Sequence, residues 1–191
     1  PAGNYGVGMV FFPRDKKVMN ASREVLRKNI KELGLELLGY RPVPVDHSVP
    51  GPGAAEVEPM IEQVFVKAKD ETLVNGAFER KLFVLRNLTS HTIANDVKGS
   101  NKEFYITSFS ARTIIYKGQL RTEQLRAYFD DLQDPRLKTA LALVHSRFST
   151  NTFPNWKLAR PFRYIAHTGE INTIRGNVNK MKSKEALFKS T

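Results

Sequence analysis

The sequence predicts an α+β fold, in which strands and helices are mixed without regular alternation. Short segments rich in β-branched and aromatic residues come mostly in hairpin-like pairs, whereas a parallel α/β fold would alternate single strands and helices. Other segments carry apolar residues at helical spacing. With 191 residues, 41% of them hydrophobic, the chain is long enough to bury the core of one domain.

The first part of the chain predicts two strands around one helix. Residues 5–12 have the apolar composition of a buried strand, with glycines where neighbouring backbones come close. Residues 20–33 carry an apolar stripe at helical spacing, and Gly34 is suited to ending that helix. Residues 35–45 predict a second strand, and its prolines place its far end at a sheet edge.

A loop rich in proline and glycine precedes the next strand and helix. Residues 46–55 form this loop, and its His47 is predicted to be solvated and without a partner. Residues 61–67 predict a strand. Residues 78–93 predict a helix, because phenylalanine and leucine recur there at helical spacing.

The next segments predict a pair of strands and a helix. Residues 104–109 and 112–116 are aromatic and β-branched, and Lys117 and Gly118 form the turn that follows them. A further helix is predicted to begin at Thr122 and to stop before an Asp-Pro pair.

The last part of the chain predicts two strands that deliver polar loops, followed by a helix. Residues 141–146 and 163–167 are short and apolar, and each runs into a turn rich in Ser, Thr, Asn or Gly. This is the pattern of buried strands that present loops at one sheet edge. Residues 177–188 predict the last helix.

The amino-acid composition limits the classes of function that the chain can have. The formal net charge of +11 suggests nucleic-acid binding, because a basic surface releases counterions from phosphate. The basic residues are dispersed among acidic ones, however, and no nucleic-acid recognition motif accompanies them. The chain has no cysteine, which excludes disulfides, zinc–thiolate sites and thiol catalysis within these residues. It has no run of 18 apolar residues and no export signal, so we expect no membrane partner and a cytoplasmic location.

The two predicted loops near the end carry the strongest functional candidates. Arg147 enters a loop rich in Ser, Thr and Asn, and its guanidinium offers a fork of donors matched to a carboxylate. Gly169 lets a backbone N–H approach a ligand and stabilise a developing oxyanion. A structurally paired arginine and an ordinary turn glycine are the alternatives. His145 and Ser146 point to opposite faces of a strand, so they do not form a nucleophile and base pair.

Two sequence blocks in this region resemble a known family. The blocks HSRFSTNTFPNW and HTGEINTIRGN, with PFRYIA between them, are similar to the glutaminase domain of the glutamate synthase large subunit. That domain is a class II (N-terminal nucleophile) glutamine amidotransferase. The segments YGVGM, FERKLFVLR and FYITSFSARTIIYKG also resemble it, so the likeness covers nearly the whole chain.

The resemblance implies roles for five residues. Arg147 would hold the α-carboxylate of glutamine, with Thr150 nearby, and Glu170 matches an acid that approaches the substrate α-amine in related amidotransferases. An Asn-Gly pair forms the oxyanion hole of the family. Gly169 matches the glycine of that pair, but Thr168 stands where the family has asparagine.

A second departure concerns the nucleophile. The family uses a cysteine at the mature N-terminus, whereas this chain begins with Pro1 and contains no cysteine. We therefore expect residues 1–191 to be an amidotransferase domain truncated at both ends, and the chain alone to be inactive.

The resemblance also implies a fold, an activity and partners. The family fold is a four-layer αββα sandwich of two antiparallel sheets. Its activity hydrolyses L-glutamine to glutamate and ammonia, which glutamate synthase transfers reductively to 2-oxoglutarate. No cofactor is implied for this region, whereas FMN and an iron–sulfur cluster are implied for the full-length enzyme. The implied partners are L-glutamine, the remaining domains of the large subunit, and ferredoxin or a small NAD(P)H-dependent subunit.

Two other functions stay open. The missing cysteine and Thr168 are compatible with a non-catalytic relative that serves as a regulatory or interaction module. The positive charge keeps a basic nucleic-acid-binding domain as the third hypothesis, which the dispersed charge pattern favours least.

Overall fold

The computed structural model describes residues 3–100, 103–146, 153–159, 163 and 174–187. The strands are β1 (Gly6–Phe12), β2 (Leu35–Pro42), β3 (Met60–Ala68) and β4 (Tyr105–Ser110). The helices are α1 (Lys16–Glu32), α2 (Pro52–Glu56), α3 (Asn75–Asp96), α4 (Thr122–Tyr128) and α5 (Ile174–Lys184), with 3-10 turns at Asp130–Gln133 and Glu185–Leu187. The predicted α+β class is confirmed.

The four strands form one antiparallel sheet in the order β2-β3-β1-β4. Side chains alternate across it, so even-numbered residues of β1 face one side and odd-numbered residues face the other. The centre of β1 requires glycine: a Cβ at Gly8 would lie 2.6 Å from the ring of Phe109 on β4. The central strand β1 and the edge strand β4 therefore approach each other over a glycine covered by an aromatic ring.

One face of the sheet is covered by α1 and α3. The side chains that form this core come from both helices and from all four strands. They include Val10, Phe12, Leu26, Ile30, Leu35, Val64, Val66, Phe78, Leu82, Leu85, Ile93 and Ile106. A buried hydrogen bond of 3.1 Å from Asn29 Nδ2 to Thr89 Oγ1 joins the two helices. The apolar residues at helical spacing in α1 and α3 thus pack against the sheet, as the sequence predicts.

The ends of α1 show where local signals succeeded and failed. Gly34 adopts φ +71°, the left-handed conformation that ends a helix, as predicted. The helix begins four residues earlier than predicted, because the Asp15 carboxylate accepts hydrogen bonds from the N–H groups of Lys17 and Val18 at 2.8 and 3.0 Å. These backbone bonds also lower the pKa of Asp15.

The opposite face of the sheet is covered by the chain that follows β4. A second apolar cluster forms there from residues of the sheet, α4 and the last described loop. Its buried members are Met9, Phe11, Val43, Ile61, Leu120, Tyr128, Phe129 and Trp156. This face therefore carries Trp156, the last residue of the first sequence block.

Two predicted strands are absent from the described residues. Residues 112–116 form no strand, and the Oγ atoms of Ser108 and Thr107 instead bond to the N–H and C=O of Ile115 at 3.2 and 3.1 Å. Residues 141–146 also form no strand, and Leu141 and Val144 are 74% and 70% exposed. An apolar run becomes a strand only where a neighbouring strand and a covering layer meet it, which composition alone does not show.

The other predictions for the end of the chain have mixed outcomes. Of the strand predicted at 163–167, only Arg163 lies within the described residues. The last helix begins at Ile174, three residues before the predicted position, and ends at Lys184. Val178 and Met181, which share one side of this helix, are 45% and 53% exposed in the described structure.

Candidate functional site

The five predicted site residues lie outside the described residues. These are Arg147, Thr150, Thr168, Gly169 and Glu170. The structure instead describes what flanks them: Ser146 directly before the first group, the segment 153–159 after it, and Arg163 five residues before the second group. The surroundings of the site are therefore described by the end of the first block and by Arg163 in the segment between the blocks, both of which contact the sheet.

Trp156 anchors the end of the first block. It is 4% exposed, and its Nε1 donates a 2.9 Å hydrogen bond to the carbonyl of Ala54 at the end of α2. Its ring meets Phe11 of β1 edge-on, with centroids 6.2 Å apart, and lies 5.4 Å from the Tyr128 ring. A large amphipathic ring of this kind fixes a loop because both its surface and its N–H are satisfied.

Arg163 anchors the segment between the two blocks. Its Nε and Nη2 donate to the carbonyls of Thr107 and Ile106 at 2.8 and 2.9 Å, and Nη2 also reaches Tyr105 Oη at 3.2 Å. The ladder between β1 and β4 shifts register here, since Met9 pairs with residue 108 and Val10 with Ile106. A bulge leaves the extra residue unpaired, so the carbonyl of Thr107 is available to the guanidinium.

Lys117 lies beside Arg163 and also holds the connecting segment. Its Nζ donates a 2.7 Å hydrogen bond to the carbonyl of Lys157 and lies 4.2 Å from the centroid of the Tyr105 ring. Burial, and secondly the charge of Arg163, lower the pKa of Lys117 to about 7. From the sequence we predicted only a turn at Lys117 and Gly118. The run of an aromatic residue, a lysine and a glycine was the sequence feature that could have pointed to this contact.

A second polar group ties the edge strand to the chain after α4. Arg41 of β2 donates two hydrogen bonds to the Asp131 carboxylate, at 2.9 and 2.6 Å, and a third to Gln63 at 3.0 Å. Tyr116 Oη donates to the same carboxylate at 2.9 Å. The Arg41 hydrogen bonds, ahead of that from Tyr116, lower the pKa of Asp131. This planar bidentate pair orients the turn that follows α4.

A third polar group surrounds the buried carboxylate of Glu58. Glu58 is 3% exposed and accepts a hydrogen bond from Tyr128 Oη. It also pairs with His47 Nδ1 at 2.9 Å and with Arg14 Nη2 at 3.4 Å. The prediction that His47 has no partner is therefore wrong, because α2 turns the loop back toward the sheet. Burial, then the hydrogen bond to Glu58, raise the pKa of Tyr128.

Trp156 and Arg163 lie toward the end of β1, away from a depression at the other end of this strand. Trp156 packs on Phe11 and Arg163 lies beside the partners of Val10. The depression, of about 510 Å³, lies where β1 begins and β3 ends. Its lining includes Gly3, Asn4, Lys67, Asp70, Val74 and Phe78. Neither Trp156 nor Arg163 lines it.

The described residues contain no cluster of side chains suited to a metal ion. Among them, no group of three or more His, Asp and Glu side chains is arranged to hold a metal ion. The chain contains no cysteine, so it supplies no thiolate to an iron–sulfur cluster. No helix within the described ranges is long and apolar enough to span a membrane.

Comparison with known proteins identifies similar sequences over the whole chain. A family model described as glutamine amidotransferases class-II matches residues 1–191. The chain is 44% identical over 185 residues to the chloroplastic ferredoxin-dependent glutamate synthase 2 of Arabidopsis thaliana, covering 97% of the chain and 11% of that protein. It is 44% identical over 186 residues to the NADPH glutamate synthase large chain of Bacillus subtilis, covering 97% of the chain and 12% of that protein.

A third relative extends the comparison to fungi. The chain is 44% identical over 195 residues to the NADH glutamate synthase of Schizosaccharomyces pombe, with 100% of the chain and 9% of that protein covered. The chain thus spans about a tenth of the length of these relatives.

Proposed function

Because this chain belongs to the class II glutamine amidotransferases, we propose that it forms the glutamine-binding part of a glutaminase domain of glutamate synthase. That domain hydrolyses L-glutamine to glutamate and ammonia. The observation that carries the proposal is the pair of blocks around Arg147 and Gly169. The end of the first block, Trp156, and the segment between the blocks, Arg163, are both held against β1 and β4. This anchoring supports a single site to which both blocks contribute.

In this proposal the substrate is recognised at its α-amino acid end. The guanidinium of Arg147 grips the α-carboxylate with two parallel hydrogen bonds, and the hydroxyl of Thr150 assists it. The carboxylate of Glu170 pairs with the α-ammonium group. These three contacts together select an L-amino acid and leave the side-chain amide free to react.

The amide carbonyl is activated by the second block. The N–H of Gly169 donates to the oxyanion that forms when the amide is attacked, and residue 168 is the second position of this hole. Thr168 replaces an asparagine of the family at this point. Loss of one oxyanion donor typically lowers turnover ~10²–10³-fold. A glutaminase domain with Thr168 would therefore hydrolyse glutamine slowly unless another group donates to the oxyanion at this position.

The whole enzyme would use the ammonia for reductive transfer to 2-oxoglutarate, through FMN and an iron–sulfur cluster bound by its other domains. The relatives are named for different electron donors, namely ferredoxin, NADPH and NADH. Ferredoxin or a small NAD(P)H-dependent subunit is accordingly the proposed reductant partner. A cytoplasmic location is proposed, although the Arabidopsis relative is chloroplastic.

The binding step is tested by titration calorimetry of L-glutamine into the chain. We expect saturable binding of L-glutamine and none of D-glutamine. Arg147→Lys should weaken the affinity roughly 10–100-fold, because a lysine is a point charge and loses the bidentate geometry. The matched control is Arg136→Lys, since Arg136 forms an exposed ion pair with Asp134. Equal binding by both variants would contradict the proposed role of Arg147.

A non-catalytic amidotransferase-like module is the second candidate, and Thr168 is the observation that favours it. The discriminating experiment supplies the N-terminal cysteine segment of a relative and measures glutamate release. For a catalytic domain, Thr168→Asn should raise turnover by ~10²–10³-fold. Background rates in both proteins, with L-glutamine binding intact, would identify a binding module without catalysis.

A further inference from the structure

Two cations lie close to one tyrosine ring between the sheet and the segment that connects the two blocks. Lys117 Nζ is 4.2 Å from the centroid of the Tyr105 ring, and Arg163 Cζ is 5.7 Å from it. Lys117 donates to the carbonyl of Lys157, and Arg163 donates to backbone carbonyls of β4. The connecting segment is thus attached near both of its ends to the same place in the sheet.

The residue after Lys117 completes this contact. A Cβ at Gly118 would lie 2.6 Å from Cζ3 of Trp156, so the indole ring rests directly on the glycine backbone. Successive residues 117 and 118 therefore hold successive residues 157 and 156. The pairing fixes the position of this segment along the chain as well as its distance from the sheet.

We propose that Lys117, Gly118 and Tyr105 form a clasp that positions the segment joining the two blocks, and that Lys117 is thereby a positioning residue for glutamine binding. The proposal rests on the proposed function, because the segment held by the clasp lies between the site residues of the first block, which precede it, and those of the second block, which follow it. It assigns Lys117 no contact with the substrate. The Lys157 carbonyl is the group through which it acts.

The chemistry of the position supports a role other than stability. Lys117 is 7% exposed, and removing an ammonium group from water opposes folding. The neighbouring Arg163 adds repulsion between like charges. An apolar side chain of similar length would fill the space at lower cost, but it would leave the carbonyl of Lys157 without this donor.

The first test measures affinity and stability on the same variant. Lys117→Met keeps the length of the side chain and removes the donor. We expect the affinity for L-glutamine to fall about tenfold, whereas the midpoint of urea unfolding stays the same or rises. The control is Lys98→Met, which alters an exposed lysine. A residue with only a structural role would not lower affinity while preserving stability.

The second test uses fluorescence, because Trp156 is the sole tryptophan of the chain. Lys117→Met and Gly118→Ala should both shift its emission, because each alters the contacts of the ring with residues 117 and 118. Gly118→Ala acts independently of Lys117, by forcing the ring away from the new methyl group. The control is Gly53→Ala, where a Cβ meets nothing within 4 Å.

The outcomes separate the clasp from the proposed function. If the wild-type chain binds L-glutamine and both variants bind it equally well with unchanged Trp156 emission, the clasp is refuted and the function stands. If the wild-type chain binds no glutamine, the proposed function fails and the positioning role fails with it. In that case the Trp156 emission shows only whether residues 117 and 118 contact residues 157 and 156. Should Lys117→Met not fold, the affinity of Gly118→Ala decides the question.

Discussion

At the scale of single residues, Lys117 is a side chain whose pKa differs between the folded and the unfolded chain in a pH range that unfolding experiments can reach. Burial and Arg163 lower the pKa of its amine from 10.5 to about 7. Between these values the unfolded chain binds the proton and the folded chain does not. The contribution of Lys117 to the free energy of unfolding therefore rises with pH from about 7 to 10.5. Below pH 7 the folded chain bears the full cost of burying the protonated amine.

This linkage predicts a pH-dependent difference between the wild type and Lys117→Met. The wild-type free energy of unfolding should gain up to ~1.4 kcal/mol per pH unit relative to the variant between pH 7 and 10. Urea unfolding at several pH values measures both proteins, and the difference cancels the titration of all other groups. Parallel curves across this range would show that the amine is not desolvated.

Tyr128 is the second residue whose contacts give a clear expectation. It is fully buried, and its hydroxyl donates to the buried carboxylate of Glu58. Tyr128→Phe removes the donor and leaves a buried carboxylate oxygen less satisfied, so the free energy of unfolding should fall by ~1–3 kcal/mol. Tyr5→Phe, at a position 39% exposed, is the control and should change it little. Equal unfolding midpoints for the two variants would argue against the Glu58 contact.

At the scale of elements, two glycines of β1 lie close to neighbouring side chains and should differ in how much an alanine substitution destabilises the chain. A Cβ at Gly8 would lie 2.6 Å from a ring carbon of Phe109, and one at Gly6 equally close to a methyl group of Leu82. A ring is rigid, whereas the end of a leucine side chain can rotate. Gly8→Ala should therefore destabilise the chain by ~1–3 kcal/mol and by more than Gly6→Ala. Thermal unfolding of both variants tests the order, and the reverse order would contradict the packing of Phe109.

Helices α1 and α3 could be predicted because each has an apolar period set by one buried face, and strands β1 and β3 because each is a short apolar run buried on both faces. Helix α2 was missed, because Pro52–Glu56 lies largely in the stretch predicted as a loop. Helix α3 shows the limit of this method: Phe78, Leu82 and Leu85 are buried as predicted, but the next inward residue is Thr89 and Leu88 is 37% exposed. The hydroxyl of Thr89 is buried because Asn29 on α1 bonds to it. Such a pairing depends on how two helices pack and leaves no periodic signal in either.

The strands predicted at 112–116 and 141–146 failed for a related reason. Their composition is that of strands, yet the first is held beside β4 by hydroxyl groups of Ser108 and Thr107, which occupy the place of ladder bonds. The second has exposed apolar side chains in the described structure. Strand formation requires a partner whose identity lies elsewhere in the chain.

At the scale of the whole molecule, the two faces of the sheet differ in the kind of contacts they make. The face under α1 and α3 buries a continuous apolar core, whereas the other face combines an apolar cluster with three polar groups. The contacts that hold this second face join residues far apart in the sequence, such as Lys117 with residue 157 and Tyr128 with residue 58. Sequence patterns could not predict them. The candidate substrate residues came instead from the resemblance of two blocks.

The proposed site makes one claim about the whole molecule: both blocks meet a single molecule of L-glutamine. A titration followed by two-dimensional ¹⁵N NMR tests this directly in a chain of 21.7 kDa. We predict that the Gly169 amide and the Arg147 Nε signals shift together, with one common dissociation constant. Shifts confined to the distant depression around Asn4 and Val74, or no shifts at all, would contradict the account.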